Sequence, residues 1–190
     1  WVRGNGSVSM AIAVSALLLI AVAFVSLTVQ RAMRRLAQRA WHDPLTGLVN
    51  RSTFAEQLAL ALDRRGSDRL VAVVYLDLDG FKAVNDLRGH QTGDRLLVLV
   101  AQRITQCLRD QDLAARVGGD EFAILLEGLD DGTQADAVAE RILEALALPF
   151  SIDASEVRVR ASIGVALCTT GSDTGDALLD RADTAMYSAK

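Results

Sequence analysis

A β-hairpin is predicted by residues 113–126, which read LAARVGGDEFAILL. Two short apolar runs, 113–117 and 122–126, flank Gly118-Gly119, and paired glycines allow a tight turn with positive φ. Asp120 and Glu121 follow directly, so acidic side chains lie at the tip of the hairpin. Taken alone, this pattern favours an ordinary type I′ turn with acidic ends.

A second stretch ends a strand with two more carboxylates. Residues 70–76 are almost continuously apolar and rich in β-branched side chains, which predicts a strand buried on both faces. Asp77 and Asp79 follow, and side chains two residues apart in a strand point to the same side. Hard oxygen ligands of this kind suit Mg²⁺ beside a nucleotide phosphate. The same pattern also occurs as a helix cap or a solvated loop.

The remaining elements alternate between helix and strand. Apolar residues at helical spacing predict helices that end near Arg65, Leu108, Leu148 and Lys190, and residues 157–167 are predicted as a strand. The polar stretch 77–94 receives no element of its own. The predicted order αβαββαβα indicates an α+β fold with a central mixed or antiparallel sheet flanked by helices.

Composition excludes several classes of protein. The 190 residues suffice for about one domain and an accessory segment. The net charge of −4 and the scattered basic residues argue against nucleic-acid binding. Cys107 and Cys168 lie far apart and lack metal-ligand spacing, so neither a disulfide framework nor a cysteine metal site is predicted. A reducing cytosol fits this composition.

Residues 8–29 contain no charged side chain, and at about 1.5 Å per residue a helix of that length would span roughly 33 Å. A transmembrane helix is therefore expected within residues 1–30; a signal peptide and a buried globular helix are the alternatives. Four arginines follow within the basic linker helix predicted for residues 31–42, whereas only Arg3 precedes the apolar run. The positively charged flank of a transmembrane helix stays on the cytoplasmic side. We therefore expect the C-terminal part of the chain in the cytoplasm, held at the inner membrane.

Five blocks in order carry a family resemblance. They are residues 43–51, 77–94, 116–122, 162–166 and 182–190, and together they resemble the GGDEF family of diguanylate cyclases. The resemblance implies a fold related to class III nucleotidyl cyclases and polymerase palm domains, with metal carboxylates on central antiparallel strands. It covers residues 43–190. Because the family pattern continues into a Gly-Arg-Asn segment and a final strand, a C-terminally truncated domain is expected.

The resemblance also implies roles for single residues. Asp77, the backbone carbonyl of Leu78 and Asp120 would hold Mg²⁺, with Mn²⁺ as the alternative ion. Asp120 would also accept the proton of the attacking 3′-hydroxyl group. Lys82 corresponds to a catalytic residue that stabilises charge on the phosphates, and Lys190 corresponds to a second phosphate-binding lysine. Both would contact the substrate.

Other positions correspond to the base pocket. Asn85 and Asp94 would read guanine, since an amide and a carboxylate can bond its polar edges. Phe81 and His90 fall at further substrate positions, although a capping or core histidine is the alternative for His90. GTP is therefore the expected substrate.

The family resemblance extends to regulation. Arg109 and Asp112 match the RxxD inhibitory site that binds cyclic di-GMP, although helix ends often carry such residues for solvation. The implied reaction joins two GTP into cyclic di-GMP across a homodimer. The alternative is a catalytically silent module that binds GTP or cyclic di-GMP and regulates a downstream phosphodiesterase domain.

Overall fold

The computed structural model describes residues 24–26, 41–66, 69–153, 155–169 and 173–190. The chain divides into two units, Trp1–Ala40 and Trp41–Lys190. In the first unit only the helical, exposed residues 24–26 are described. Apart from these and Trp41 and His42, the predicted transmembrane and linker helices lie outside the described residues. No helix within the described ranges combines the length and apolar character that a bilayer crossing requires.

The second unit is built on a five-stranded sheet. In spatial order its strands are β1 (Val49–Asn50), β3 (Leu113–Arg116), β4 (Glu121–Leu129), β2 (Leu70–Asp79) and β7 (Arg160–Leu167). β1 runs parallel to β3, and every other neighbouring pair is antiparallel. The predicted mixed sheet is therefore confirmed, with β2 and β4 at its centre.

Helices cover both faces of this sheet. They are α1 (Arg51–Arg64), α2 (Phe81–Arg88), α3 (His90–Gln106), α4 (Gly132–Ala147) and α5 (Gly175–Ala189). Alternate side chains of β2 point to opposite faces. Leu76 therefore packs with residues of α3 and α4, and Val73 packs with residues of α1 and α5. Asp77 and Asp79 have the parity of Val73, which places them on the α1 and α5 face.

Residues 77–94 differ from the prediction of a stretch without its own element. β2 continues to Asp79, α2 follows at Phe81, and α3 begins at His90. Gly80 and Gly89 adopt positive φ of 77° and 83°, which permits sharp turns at both ends of α2. Within this helix only Phe81 is buried, so its apolar signal was too weak to predict a separate helix.

The predicted strand 157–167 is also wrong at its start. A separate two-stranded sheet pairs β5 (Phe150–Ile152) with β6 (Ser155–Val157), and β7 begins only at Arg160. The tight turn between β5 and β6 holds Asp153 at a φ of 49°. Strands of three residues are too short to show a reliable alternation of apolar and polar side chains.

Candidate active site

The centre of the site lies where β2 and β4 end together. Asp77 pairs with Glu121 in the antiparallel register, and the Leu78 amide donates to the carbonyl oxygen of Asp120 at 3.2 Å. The hairpin tip is thus bonded directly to the end of β2. As a result, the structure brings together the three predicted metal-ligand residues, Asp77, Leu78 and Asp120.

Negative charge is concentrated at this point. Burial raises the pKa of Asp120 above its ordinary value, and the charge of Asp77 raises it further. Burial, followed by the charges of Asp77, Asp120 and Asp183, likewise raises the pKa of Glu121. The Tyr75 hydroxyl donates to Glu121, while burial and nearby carboxylates raise the pKa of Tyr75 to about 12. A cation near these groups would relieve their mutual repulsion.

The donors present fit a hard divalent cation. Two carboxylates and a backbone carbonyl supply oxygen ligands only, which is the donor chemistry that Mg²⁺ prefers. In the described part of the chain, no three side chains of histidine, cysteine, aspartate or glutamate are grouped as metal ligands. The candidate set differs from such a group because its third oxygen comes from the backbone of Leu78.

Lys190 joins this cluster from the end of α5. Its Nζ atom lies 2.8 Å from Oδ1 of Asp77, and the hydrogen bond to that carboxylate raises the pKa of Lys190. Lys82, the second residue of α2, is exposed. The structure therefore brings Lys190 to the carboxylates and leaves Lys82 at the surface of the adjoining helix.

The two predicted guanine-reading residues lie on neighbouring helices. A Cβ atom built at Gly93 of α3 would lie only 1.9 Å from Oδ1 of Asn85 on α2. The missing side chain of Gly93 thus lets Asn85 approach α3 directly beside Asp94. Phe81 is buried beneath this contact, 3.2 Å from the same built atom. His90 is exposed as the first residue of α3.

Asp94 also borders a groove between α3 and the β5–β6 hairpin. The groove has a volume of about 390 Å³, and Leu45, Val98 and Ile152 contribute apolar walls. Arg95 forms an ion pair with Asp153 at the same groove. The carboxylate of Asp94 is thus bordered by apolar surface.

An arginine anchor fixes the hairpin, and its role was not predicted from the sequence. Nη1 of Arg116 lies 3.1 Å and 3.3 Å from the carboxylate oxygens of Asp43. Nε and Nη2 donate to the carbonyl oxygen of Gly119, at 3.1 Å and 2.8 Å. The residue before Asp120 is therefore tied to the segment that precedes β1.

Asp43 has a second partner. It accepts hydrogen bonds from the amide and hydroxyl groups of Thr46, at 2.8 Å and 2.7 Å. Burial opposes its ionisation, but the bonds from Thr46 and Arg116 outweigh this effect and hold the pKa of Asp43 below its ordinary value. From the sequence, Asp43 was placed only at the start of the first matching block, because a contact across so many residues leaves no local sequence signal.

Asp79 is oriented by the neighbouring strand. Its two carboxylate oxygens each lie 3.0 Å from the hydroxyl oxygen of Ser162 on β7. Ser162 itself pairs with Asp77 in the register of β2 and β7. The register of the sheet therefore places the Ser162 hydroxyl group within hydrogen-bonding distance of Asp79.

The predicted inhibitory pair lies at the other end of β3 from the hairpin tip. The Asp112 carboxylate accepts from the backbone amide of Arg109 at 2.9 Å, and the Asp112 amide donates to the Arg109 carbonyl at 3.0 Å. Both bonds close a turn between α3 and β3. The Arg109 side chain is exposed. The pair is thus separated from the carboxylates by the length of β3.

Comparison with known proteins identifies relatives of this domain. The chain is 46% identical over 161 residues to the bifunctional diguanylate cyclase/cyclic di-GMP phosphodiesterase MucR of Pseudomonas aeruginosa, which covers 84% of the chain. It is 45% identical over 157 residues to the diguanylate cyclase TpbB of the same species, covering 82% of the chain. The chain spans only 23% of MucR and 36% of TpbB, so those names describe longer proteins.

Solved structures share the fold. The GGDEF domain of TpbB (YfiN) from Pseudomonas aeruginosa matches with a TM-score of 0.75 at 45% identity, over 78% of this chain and 88% of that one. The coiled coil and GGDEF domain of DgcB from Caulobacter crescentus, in complex with c-di-GMP, matches with a TM-score of 0.81 at 27% identity. That match covers 92% of this chain and 93% of the other.

The family profile described as diguanylate cyclase, GGDEF domain, matches residues 40–190. This range contains all five sequence blocks and the whole sheet. It also contains the carboxylate cluster and the arginine anchor. The chain therefore belongs to the GGDEF diguanylate cyclase domain family.

Proposed function

We propose that this domain is a diguanylate cyclase, which condenses two GTP molecules into cyclic di-GMP and releases diphosphate. The observation that carries the proposal is the meeting of Asp77, Asp120 and Lys190 where the central strands β2 and β4 end. The Lys190 ammonium lies 2.8 Å from Asp77, and the backbone of Asp120 is bonded to Leu78. Carboxylates beside a lysine at a strand end suit the triphosphate of a nucleotide.

In this reaction the residues bind and orient the substrate. Asp77, Asp120 and the carbonyl of Leu78 would hold Mg²⁺, which would supply positive charge over the phosphates. Lys190 and Lys82 bind phosphate oxygens and balance charge as the bond to the leaving group breaks. Asp120 accepts the proton when the 3′-oxygen attacks the α-phosphorus of the other GTP, and diphosphate leaves. Two such transfers close the ring.

Asn85 and Asp94 supply base recognition in this proposal. The amide of Asn85 can donate and accept hydrogen bonds, and the carboxylate of Asp94 can accept from the N1–H and 2-amino groups of guanine. Adenine lacks both donors. We therefore expect ATP to be a poor substrate. Phe81 lies beneath Asn85 on the core side, and His90 is the first residue of α3, which follows α2 directly.

Each domain holds one GTP in this scheme, so the attacking hydroxyl must come from a second copy. Catalysis therefore requires a homodimer with its sites facing each other. Cyclic di-GMP bound by Arg109 and Asp112 would lower activity by favouring a different arrangement of the two domains. Membrane attachment through residues 8–29 belongs to the proposal and rests on the sequence, and fractionation of the full-length protein tests it.

The test is incubation of the purified protein with GTP and Mg²⁺, followed by chromatography for cyclic di-GMP. Asp120→Asn should lower turnover at least about 100-fold, since it removes a metal ligand and the proton acceptor. Asp63→Asn, the same change at an exposed position of α1, is the matched control. The assignment of Asp120 fails if both variants turn over GTP as the unchanged protein does.

A second candidate is a silent nucleotide-binding module that regulates a phosphodiesterase. It is favoured by relatives named as phosphodiesterases, such as PdeR of Escherichia coli, which is 42% identical over 161 residues. The chain spans 24% of that protein. Binding of GTP without any cyclic di-GMP formation by the unchanged protein would support this candidate over the cyclase.

A further inference from the structure

Gly164 in β7 forms an unusually close contact with α5. A Cβ atom built at Gly164 would lie 2.1 Å from the carbonyl oxygen of Ala182 and 2.1 Å from the amide nitrogen of Met186. Ordinary van der Waals contact begins at 3.4 Å. Both neighbouring atoms belong to the helix backbone, so no side-chain rotation can relieve the overlap. Any side chain at position 164 must therefore displace α5 by about 1 Å or more.

This contact lies close to the candidate active site. Gly164 pairs with Tyr75 in the register of β2 and β7, and Asp77 lies two residues further along β2. α5 passes over the sheet at Gly164 and continues towards Lys190. At about 1.5 Å per residue, roughly 12 Å of helix separates Ala182 from Lys190. The contact at Gly164 thus sets the distance between α5 and the sheet about two turns of helix before Lys190, which reaches Asp77.

We propose that Gly164 is a positioning residue for substrate binding and that it acts through Lys190. Because this glycine has no side chain, α5 lies directly on β7 and delivers the Lys190 ammonium to the phosphate site beside Asp77. This inference deepens the proposed function, since it assumes that Lys190 binds the phosphates of GTP. It gives a physical reason for the glycine in the block Ser162-Ile163-Gly164-Val165-Ala166.

A double-mutant cycle on nucleotide binding separates this role from simple packing. The probe is 3′-deoxy-GTP with Mg²⁺, which lacks the attacking hydroxyl and therefore binds without turnover. Gly164→Ala should raise its Kd about 10- to 100-fold, as expected for displacement of a binding group by about 1 Å. Lys190→Met should raise the Kd by a similar factor. In the Lys190→Met protein, adding Gly164→Ala should change the Kd by no more than about twofold.

Gly132→Ala is the matched control. The three atoms nearest to a Cβ atom there all belong to the Leu167 side chain, with Cδ1 closest at 2.7 Å, and the end of a leucine side chain can move aside. The Kd of 3′-deoxy-GTP for Gly132→Ala should equal that for the unchanged protein. If Gly164→Ala does not fold, Ala182→Val replaces it, because Ala182 is fully buried where α5 faces the sheet. The larger side chain should lift α5 and give the same dependence on Lys190.

Two results would overturn the proposal. One is an unchanged Kd in folded Gly164→Ala protein. The other is an equal rise in the Kd of 3′-deoxy-GTP on Gly164→Ala with and without the Lys190 side chain, which would mean general damage to the fold. A separate assay for cyclic di-GMP tests the proposed function itself. If the protein binds 3′-deoxy-GTP but makes no cyclic di-GMP, the proposed cyclase activity is contradicted. The proposed role of Gly164 in nucleotide binding would still stand.

Discussion

Replacement of Arg116 by methionine should destabilise the domain strongly, because this side chain joins the hairpin to the segment before β1. Methionine keeps much of the length and apolar stem of arginine but removes every donor. The variant loses two bonds to the Gly119 carbonyl and the ion pair with Asp43. The side chains of Arg116 and Asp43 are only 16% and 18% exposed, so water cannot fully replace the lost partners.

The size of the effect follows from this burial. Hydrogen bonds to a charged group contribute about 1.5–3 kcal/mol, and breaking a fully buried ion pair costs about 3–5 kcal/mol. Since this pair retains some exposure, we expect Arg116→Met to lower the free energy of unfolding by about 2–4 kcal/mol. Asp43 keeps its bonds from Thr46, which limits the loss.

Urea unfolding provides the assay, and an unchanged slope m would show that only stability has changed. Arg69→Met is the matched control, because Arg69 and Asp130 form an ion pair with side chains 55% and 64% exposed. Arg69→Met should lower the free energy of unfolding by about 0–1 kcal/mol. Equal losses for the two variants would refute the argument that the buried anchor holds the hairpin.

Three further outcomes are expected. Gly93→Ala should displace Asn85, because the new Cβ would lie 1.9 Å from its Oδ1. The Kd of 3′-deoxy-GTP should rise at least about tenfold, and an unchanged Kd would contradict the assignment of Asn85 to the base pocket. Arg109→Ala should relieve inhibition by added cyclic di-GMP in a progress curve and leave initial turnover unchanged, and equal slowing of both proteins would reduce Arg109 and Asp112 to a solvated turn. Because hydrogen bonds from Thr46 and Arg116 outweigh burial and hold the pKa of Asp43 below its ordinary value, the stabilisation from ionised Asp43 should be fully present above that ordinary value and be lost as the pH falls through the lowered pKa. The loss of stability in acid should therefore be steeper in the unchanged protein than in Asp43→Asn, and parallel pH curves would contradict this.

The strongest sequence signals were local and periodic. The apolar runs on both sides of Gly118-Gly119 predicted β3 and β4, because strand side chains must be buried. The type I′ turn expected between them is wrong, since neither Gly118 nor Gly119 has a positive φ. The apolar spacing within α3 and α4 predicted both helices, and the predicted ends near Leu108 and Leu148 lie within two residues of the observed ends, Gln106 and Ala147. Short elements such as β5 and β6 were missed, since three residues carry too little pattern.

The sequence by itself indicated the family and the α+β class, which the family profile and the mixed sheet confirm. It also named the candidate site residues, whose roles stay predictions. These properties follow from residue type and spacing along the chain. Tertiary structure alone decided how distant residues meet: Arg116 with Asp43, Asp79 with Ser162, and Lys190 with Asp77. Such pairs depend on strand register and on how closely a helix approaches the sheet, and neither quantity has a local signal. The contact of Gly164 with the backbone of α5 is the clearest case, because its cause is a missing side chain that acts only once the helix lies on the sheet.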